Sequence, residues 1–243
     1  MENNNPDYVY ENVIQINDAD ASRKYLAKVF AWMFVALGIS AFIALEFNLN
    51  LGLMQLIINP EVGGFTGLGY IAVFAPLAFG LIMSFGFTRL SYGAMVSLFI
   101  AYAVAIGVSL SVIGIIYTAS SIFGVFLSSA LIFGIMAIAG YTTSMDLSKF
   151  GSILYMIFIG ALVVSLVNFF MHSPQISYIL SFVFVALMIG LTAYYMQMLK
   201  RIGAGLEYGS AESKKLVIIG AYVLYTTFIN LFMSMLRLFG SRR

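Results

Sequence analysis

Small and polar side chains recur along the last apolar segment of the chain. This segment, residues 216–240, is long enough to cross a bilayer as a helix. At helical spacing, one stripe contains Gly220, Thr227, Asn230, Ser234 and Arg237. An unsatisfied amide or guanidinium costs several kcal/mol in hydrocarbon, so the stripe predicts a central helix that faces other helices or a wet cavity. Two roles for this stripe remain open. It can form hydrogen bonds between helices, with Arg237 reaching the membrane interface, or it can line a conduction path.

The residues that enzyme signatures require are missing or isolated. The chain has no cysteine and one histidine, so thiolate catalysis, disulfides, Cys-ligated metals and an H-E-x-x-H zinc motif are excluded. No Asp or Glu lies in the middle of an apolar segment, and no G-x-S-x-G motif accompanies His172. We therefore expect no catalytic site, no metal site and no cofactor.

Two further polar groups have structural explanations. A second stripe lies on the fifth predicted span, at Ser165, Asn168 and His172. Its favoured use is hydrogen bonding between helices. Asp146, followed by Leu147 and Ser148, lies just before the same span and is expected to cap that helix and complement its dipole.

The composition is typical of a polytopic helical membrane protein. Of the 243 residues, 62% are hydrophobic and 9% are charged, and the mean hydropathy of +1.00 excludes an ordinary soluble domain. The net charge is +2, and the few Lys and Arg residues lie at segment ends without a basic aromatic patch. Nucleic-acid binding is therefore not expected. Short connections between the apolar segments indicate one domain.

The apolar segments predict an all-α fold with seven transmembrane helices. Residues 1–22 are polar and acidic, which favours a flexible cytoplasmic tail before a membrane domain at 23–243. Residues 90–145 and 150–199 carry no charge, and each run is too long for one crossing, so each must fold back once. The predicted spans are about 25–47, 70–88, 92–116, 120–141, 152–172, 176–199 and 216–239.

The distribution of basic residues favours a cytoplasmic N-terminus. That orientation places nine of the 12 Lys and Arg residues on the cytoplasmic side and leaves the loops on the other side without any. Arg237, Arg242 and Arg243 are the exceptions, at the far end of span seven. Either the C-terminus lies outside or the last segment enters and returns, and the length of span seven favours a full crossing.

Several motifs, in order, carry a family resemblance. They are the run GVSLSVIGIIYTASSIFGVFLSSALIFGIMAIAGYTTSMDLSKFGSIL, LVNFF at 166–170, GLTAYYMQ at 190–197 and the terminal FINLFMSMLRLFG. Together they resemble the bacterial side of the transmembrane Bax-inhibitor-motif family, over everything beyond the N-terminal tail. The resemblance implies a bacterial cytoplasmic (inner) membrane protein in which two groups of three helices pack around the C-terminal helix.

The resemblance also implies an activity and partners. It implies a pH-sensitive Ca2+ leak, or an ion-handling role related to stress and cell death, with the lipid bilayer and Ca2+ or another cation as partners. One bacterial branch is associated with restraining a membrane AAA protease. That association makes a non-conducting interaction protein the alternative, and residues 1–22 would then serve in recognition.

Two positions depart from the family pattern. Members with the leak carry aspartates in A-Y-D-x-Q and L-Y-x-D-F-I-N, where this sequence has Tyr195 and Thr227. Tyrosine titrates near pKa ~10 and threonine does not titrate, so this pair cannot share a proton near neutral pH. We expect Tyr195 and Thr227 to face each other as pore or gate positions without an acidic gate. Nearby residues are expected to be Asn168, Asn230 and Arg237.

Overall fold

The chain folds into an almost entirely helical bundle. The computed structural model describes residues 19–60, 63–86, 89–206 and 210–243. The elements in these ranges are α1 (Ala19–Leu49), α2 (Leu51–Ile57), β1 (Ile58–Asn59), β2 (Gly64–Phe65), α3 (Gly67–Gly86), α4 (Tyr92–Ser111), α5 (Ile113–Ile116), α6 (Ala119–Thr142), α7 (Ser148–Met171), α8 (Pro174–Ala204) and α9 (Ala211–Phe239). The two short strands pair antiparallel. The all-α prediction is confirmed.

Among the described residues, six helices are long and apolar enough to cross a membrane: α1, α4 with α5, α6, α7, α8 and α9. The segment predicted as span two corresponds to α3, which is a shorter apolar helix and contains Pro76. Several helices extend beyond the predicted spans, and α8 continues more than a turn past 199. Of the predicted tail, residues 19–22 belong to α1 and residues 1–18 lie outside the described ranges.

Serine side chains fix where three long helices begin. Ser91, Ser173 and Ser210 precede α4, α8 and α9, and each hydroxyl accepts a hydrogen bond from a backbone N–H in the first turn. These caps satisfy N–H groups that have no partner inside the helix. Pro174, the first residue of α8, fits there because its missing N–H is not needed.

One end of the bundle is held by side chains of α1. The Ser22 hydroxyl donates to the carbonyl oxygen of Lys200 on α8 at 3.0 Å. The Tyr25 hydroxyl donates to the carbonyl oxygen of Leu216 on α9 at 2.9 Å. The first turns of α1 and α9 therefore lie at the same end as the last turns of α8.

The last residues of the chain are held at the opposite end. The N–H of Thr118 donates to the carbonyl oxygen of Ser241 at 3.1 Å, and the N–H of Arg243 donates to that of Ile116 at 3.0 Å. This backbone pairing fixes the C-terminus beside the connection from α5 to α6. The beginning of α1 and the C-terminus consequently lie at opposite ends of the bundle.

Helix α9 is the most buried of the long helices. It packs against α1, α4, α6 and α8, and side chains on several of its sides are fully buried. These are Ile218, Ala221, Leu224, Tyr225 and Leu231. Burial on several sides requires the near absence of charge that the sequence shows between residues 216 and 236.

The stripe predicted on α9 divides into an inner and an outer column. Gly220, Thr227 and Ser234 are spaced seven residues apart and are buried. Asn230 and Arg237, also seven apart, are exposed. Asn230 follows Thr227 by three residues and so lies about 60° around the helix axis from it. The prediction that the whole stripe faces other helices or a wet cavity is therefore wrong for Asn230, because the packed face of α9 ends between the two columns. Arg237, in contrast, lines a cavity at the end of the bundle.

Helices α6 and α8 approach each other closely at Gly140. A Cβ atom placed on Gly140 would lie 2.3 Å from the carbonyl oxygen and 2.7 Å from the Cα of Ala193. Backbone atoms cannot rotate away as the end of a side chain can, so any side chain at this position would push the two helices apart.

Replacing Gly140 with alanine should therefore destabilise the bundle. We expect Gly140→Ala to lower the free energy of unfolding by about 1–3 kcal/mol, measured by unfolding in detergent. The control is Gly134→Ala on the same helix, where a Cβ meets nothing within 4 Å. That change should be neutral or stabilising by up to about 1 kcal/mol, because alanine favours the helix. Equal stabilities for the two variants would contradict the close crossing.

Candidate functional site

Tyr195 and Thr227 lie on α8 and α9, which pack against each other as antiparallel neighbours. Tyr195 is half-buried and packs against the hydrophobic core. Thr227 is buried, and its hydroxyl donates to the carbonyl oxygen of Val223 at 2.8 Å. The donor of Thr227 is thus satisfied within its own helix rather than by Tyr195.

The register of the two helices separates these positions by about one turn. A Cβ on Gly220 of α9 would lie 3.0 Å from Leu199 Cδ2 of α8, so these residues are at the same level. Four residues back along α8, Tyr195 is then level with Leu224, and Thr227 lies about 4.5 Å farther along the axis.

A buried cluster of hydroxyl groups joins α1, α4 and α9. The hydroxyls of Ser40 and Tyr225 are 2.5 Å apart, and the Ser40 hydroxyl donates to the carbonyl oxygen of Ala103 at 2.7 Å. Because Ser40 uses its only hydrogen on Ala103, the Tyr225 phenol must donate to Ser40. Next to these hydrogen bonds, the hydroxyls of Tyr102 and Thr226 are 3.2 Å apart. Three helices therefore meet through polar contacts deep in the apolar core.

Aromatic rings fill the space around these hydroxyls. The Tyr225 ring meets Phe99 and Tyr102 edge to face, with centroids 6.0 and 5.8 Å apart. Tyr102 also packs edge to face on Tyr222 at 5.0 Å. The sequence analysis missed this cluster, although a tyrosine inside an apolar span is itself a signal, because its hydroxyl needs a partner there.

Carboxylates are absent from the interior of the described helices. The acidic residues within the described ranges are Asp20, Glu46, Asp146 and Glu212, and each lies near the end of a helix or in a loop. Across the same residues, no three His, Asp or Glu side chains come together as metal ligands could. The α8–α9 contact thus offers no described group that titrates near neutral pH.

The loop between α6 and α7 is bound to the end of α8 by an ion pair. Arg201 donates to the Asp146 carboxylate at 2.7 Å and to the Ser148 hydroxyl at 2.8 Å. The same carboxylate accepts the N–H of Ser148, the first residue of α7, from one position before the N-cap residue Leu147. The hydrogen bond from Arg201 lowers the pKa of Asp146 to about 2. The stabilising contribution of this carboxylate is thus complete above its ordinary pKa and is lost only as the pH falls toward 2.

Gln197 forms the second attachment of this loop. Its amide oxygen accepts the N–H of Leu147 at 2.8 Å, and its amide nitrogen donates to the carbonyl oxygen of Met145 at 2.8 Å. Lys200, one turn on, donates to the carbonyl oxygen of Tyr141 at 2.8 Å. One side of α8 therefore orders the whole segment that carries Asp146, Leu147 and Ser148.

Asn168, on α7, contacts the first turn of α8, at the opposite end of that helix from Gln197. Its amide donates to the Ser177 hydroxyl at 2.7 Å, and its oxygen accepts the N–H of Ser173 at 3.1 Å. These bonds close the turn after His172, whose φ of 53° is left-handed. Ser177 and Tyr195 are roughly 27 Å apart along one helix, so the structure does not bring Asn168 to Tyr195.

Comparisons with known proteins decide the family. Residues 22–243 match the family described as Inhibitor of apoptosis-promoting Bax1. The chain belongs to the Bax-inhibitor family. It is 39% identical to the Inner membrane protein YbhL of Escherichia coli K12 over 220 residues, which cover 90% of this chain and 92% of YbhL. The family resemblance carried by the sequence motifs is confirmed.

Two further bacterial proteins align over nearly their full length. The protein RP147 of Rickettsia prowazekii is 36% identical over 224 residues, or 91% of each chain. A protein of Borreliella burgdorferi is 34% identical over 222 residues, or 90% of this chain and 93% of the other.

Loss of the Gln197 amide should free the α6–α7 loop from α8. Gln197→Met keeps the side-chain length but leaves the Leu147 N–H and the Met145 carbonyl without their partner, which should cost about 1–3 kcal/mol of unfolding free energy. Proteolysis of the loop should become faster in parallel. Gln55→Met, at an exposed position of α2, is the control and should change stability by less than about 0.5 kcal/mol. Two equally stable variants would show that the attachment is dispensable.

Proposed function

We propose that this protein is an inner-membrane member of the Bax-inhibitor family whose ion pathway, for Ca2+ or another cation, follows the α8–α9 contact without the family's pH gate. The observation that carries the proposal is the pair of non-acidic residues, Tyr195 and Thr227, on these contacting helices. The location is supported by the relative YbhL, which is named an inner membrane protein.

In the proposed topology, α3 is a seventh span and α9 is the central helix. The Ser109 hydroxyl on α4 donates to the Ala72 carbonyl oxygen on α3 at 2.9 Å, which supports an antiparallel α3–α4 pair. Gly80 supports close packing of α3 on α9, because a Cβ atom placed on it would meet the Tyr222 hydroxyl of α9. The beginning of α1 and the C-terminal residues lie at opposite ends of the bundle, which supports an odd number of crossings. The nine Lys and Arg residues assigned to the side on which α1 begins support a cytoplasmic N-terminus.

The chemistry of the two gate positions determines how such a leak responds to pH. Two carboxylates at a buried contact raise the pKa of one member by repulsion and desolvation, which places a titration near neutral pH. A phenol and an aliphatic hydroxyl have no such transition. The proposed pathway therefore opens or closes independently of protons.

A non-conducting interaction protein is the second candidate function. It is favoured by the packing of Phe99, Tyr102 and Tyr225, which fills the space between α1, α4 and α9 with rings. Ca2+ binds six to eight oxygen ligands, often carboxylates, and a core of rings and single hydroxyls offers few of them. Such a protein would modulate a membrane AAA protease or a stress response by contact.

Ion flux from proteoliposomes tests the proposal. We expect any flux of Ca2+, Na+ or K+ through the native protein to vary by less than about twofold between pH 6 and 8, because no group at the gate titrates there. The double replacement Tyr195→Asp with Thr227→Asp should make the flux strongly pH-dependent, and either single change should do so less.

The isosteric pair Tyr195→Asn with Thr227→Asn is the matched control, because it introduces polarity without a titrating group. Its flux should remain independent of pH. A steep pH response of the native protein would contradict the proposed gate. Absence of flux at every pH would instead support the interaction function.

A further inference from the structure

A large cavity lies at the end of the bundle where α7 turns into α8. Its volume is about 890 Å³, and α7, α8, the last turn of α9 and the C-terminal residues form its walls. Its polar lining includes Ser165, Asn168, His172, Gln175, Arg237 and Arg242. The cavity is far from Tyr195 and has no part in the ion pathway proposed above.

The charge of this lining is entirely positive. Two guanidinium groups, Arg237 and Arg242, face the cavity, and no carboxylate is among its lining residues. In the described part of the chain the two ion pairs lie elsewhere, at Arg23–Asp20 and Arg201–Asp146. Arg237 and Arg242 therefore lack an acidic partner within the described protein. Both lie at the edge of the membrane domain, where placing two positive charges near each other costs free energy.

The backbone of the chain end holds Arg242 at the cavity. Arg242 forms an antiparallel bridge with Tyr117, flanked by the two hydrogen bonds that tie residues 241 and 243 to residues 118 and 116. The N–H of Ser241 also donates to the Ser121 hydroxyl at 2.9 Å. A terminal arginine held by this many contacts loses less conformational freedom on binding than one on a free tail.

The opposite wall is fixed as well, and it reaches the lipid-facing surface. Asn168 is 8% exposed and is held by its bonds to Ser173 and Ser177. Phe169 and Tyr178, also in the lining, are 67% and 55% exposed on the outer faces of α7 and α8. The cavity thus joins a preformed polar wall to an apolar rim at the level where α7 ends and α8 begins.

We propose that this cavity binds a phosphate group, carried by an anionic lipid or by free phosphate, with Arg237 and Arg242 as its charged ligands. The planar guanidinium group donates two parallel hydrogen bonds to phosphate oxygens, which ammonium groups do not match. The Ser165 hydroxyl and the Gln175 amide nitrogen supply further donors around the anion, whereas the hydroxyls of Ser177 and Ser181 donate to backbone carbonyl oxygens at the start of α8. Basic pockets between membrane helices are suited to lipid headgroups for these reasons.

Thermal unfolding of the full-length protein in detergent, at fixed ionic strength, tests this site. The probes are dioctanoyl phosphatidylglycerol, dioctanoyl phosphatidylcholine and inorganic phosphate, each titrated to give an apparent Kd from the stabilisation. We expect phosphatidylglycerol to bind more tightly than phosphatidylcholine. Binding of inorganic phosphate with similar affinity would identify the free anion as ligand, and its failure to bind would identify the lipid.

Charge removal at the two arginines should abolish this preference. Arg237→Gln with Arg242→Gln should weaken phosphatidylglycerol binding by at least about tenfold, since charge-assisted hydrogen bonds are lost. Arg243→Gln is the matched control, because Arg243 lies in the same tail but outside the cavity lining, and should bind as the native protein does. Native affinity in the double variant, equal binding of both lipids, or no binding of any probe would overturn the proposal.

A lysine pair separates loss of binding from a folding defect. Arg237→Lys with Arg242→Lys keeps both charges but loses the guanidinium geometry. Its affinity for phosphatidylglycerol should lie between those of the native protein and the glutamine pair. If the glutamine pair does not fold, unchanged affinity in the lysine pair contradicts the proposal.

Discussion

A polar atom buried among membrane helices has no water to bond, and the packing of α9 depends on this constraint. Within the described residues, every buried side-chain nitrogen or oxygen has a hydrogen-bond partner. The Tyr225 phenol finds its partner in Ser40 of α1, which in turn bonds the backbone of α4. Thr227 bonds its own helix instead. Helix α9 can therefore bury one face against α1, α4, α6 and α8, because the Tyr225 and Thr227 hydroxyls on that face are satisfied.

Charged side chains cannot be satisfied in the apolar interior, and the ones discussed here lie at the two ends of the bundle. At one end, Arg201 and Asp146 form a complete ion pair that orders a loop. At the other, Arg237 and Arg242 face a cavity without a carboxylate. The first arrangement needs no further partner, whereas the second has its positive charge unbalanced by the described protein. This difference is why the first is a structural attachment and the second a candidate binding site.

The sequence predicted the features that depend on hydrophobicity and chain length. Apolar runs located the long helices, and the resemblance carried by the motifs from Gly107 onward identified the family. Which side of a helix is buried depends on neighbours that are remote in sequence, and this is why Asn230 was assigned to the wrong face. Helical spacing placed Asn230 beside Thr227, but α9 has a packed face whose edge falls between them.

Contacts between backbone and distant side chains were also beyond the sequence. Gln197 bonds the backbone of residues 145 and 147, and a backbone partner leaves no pattern in side-chain types. The pairing of the C-terminus with residues 116–118 also leaves no pattern in the sequence, because it is formed by backbone groups. The absence of the two family aspartates, by contrast, was visible in the sequence because it depends only on residue identity.

The most direct test of this account is a double-mutant cycle between Ser40 and Tyr225, measured as unfolding free energy in detergent. Ser40→Ala should destabilise more than Tyr225→Phe, because it leaves a buried phenol without an acceptor, whereas Ser40 keeps its bond to Ala103 when the phenol is removed. We expect a coupling energy of about 0.6–1.7 kcal/mol, the range of hydrogen bonds between membrane helices. Effects that add to within about 0.3 kcal/mol would contradict the claim that this bond joins α9 to its neighbours.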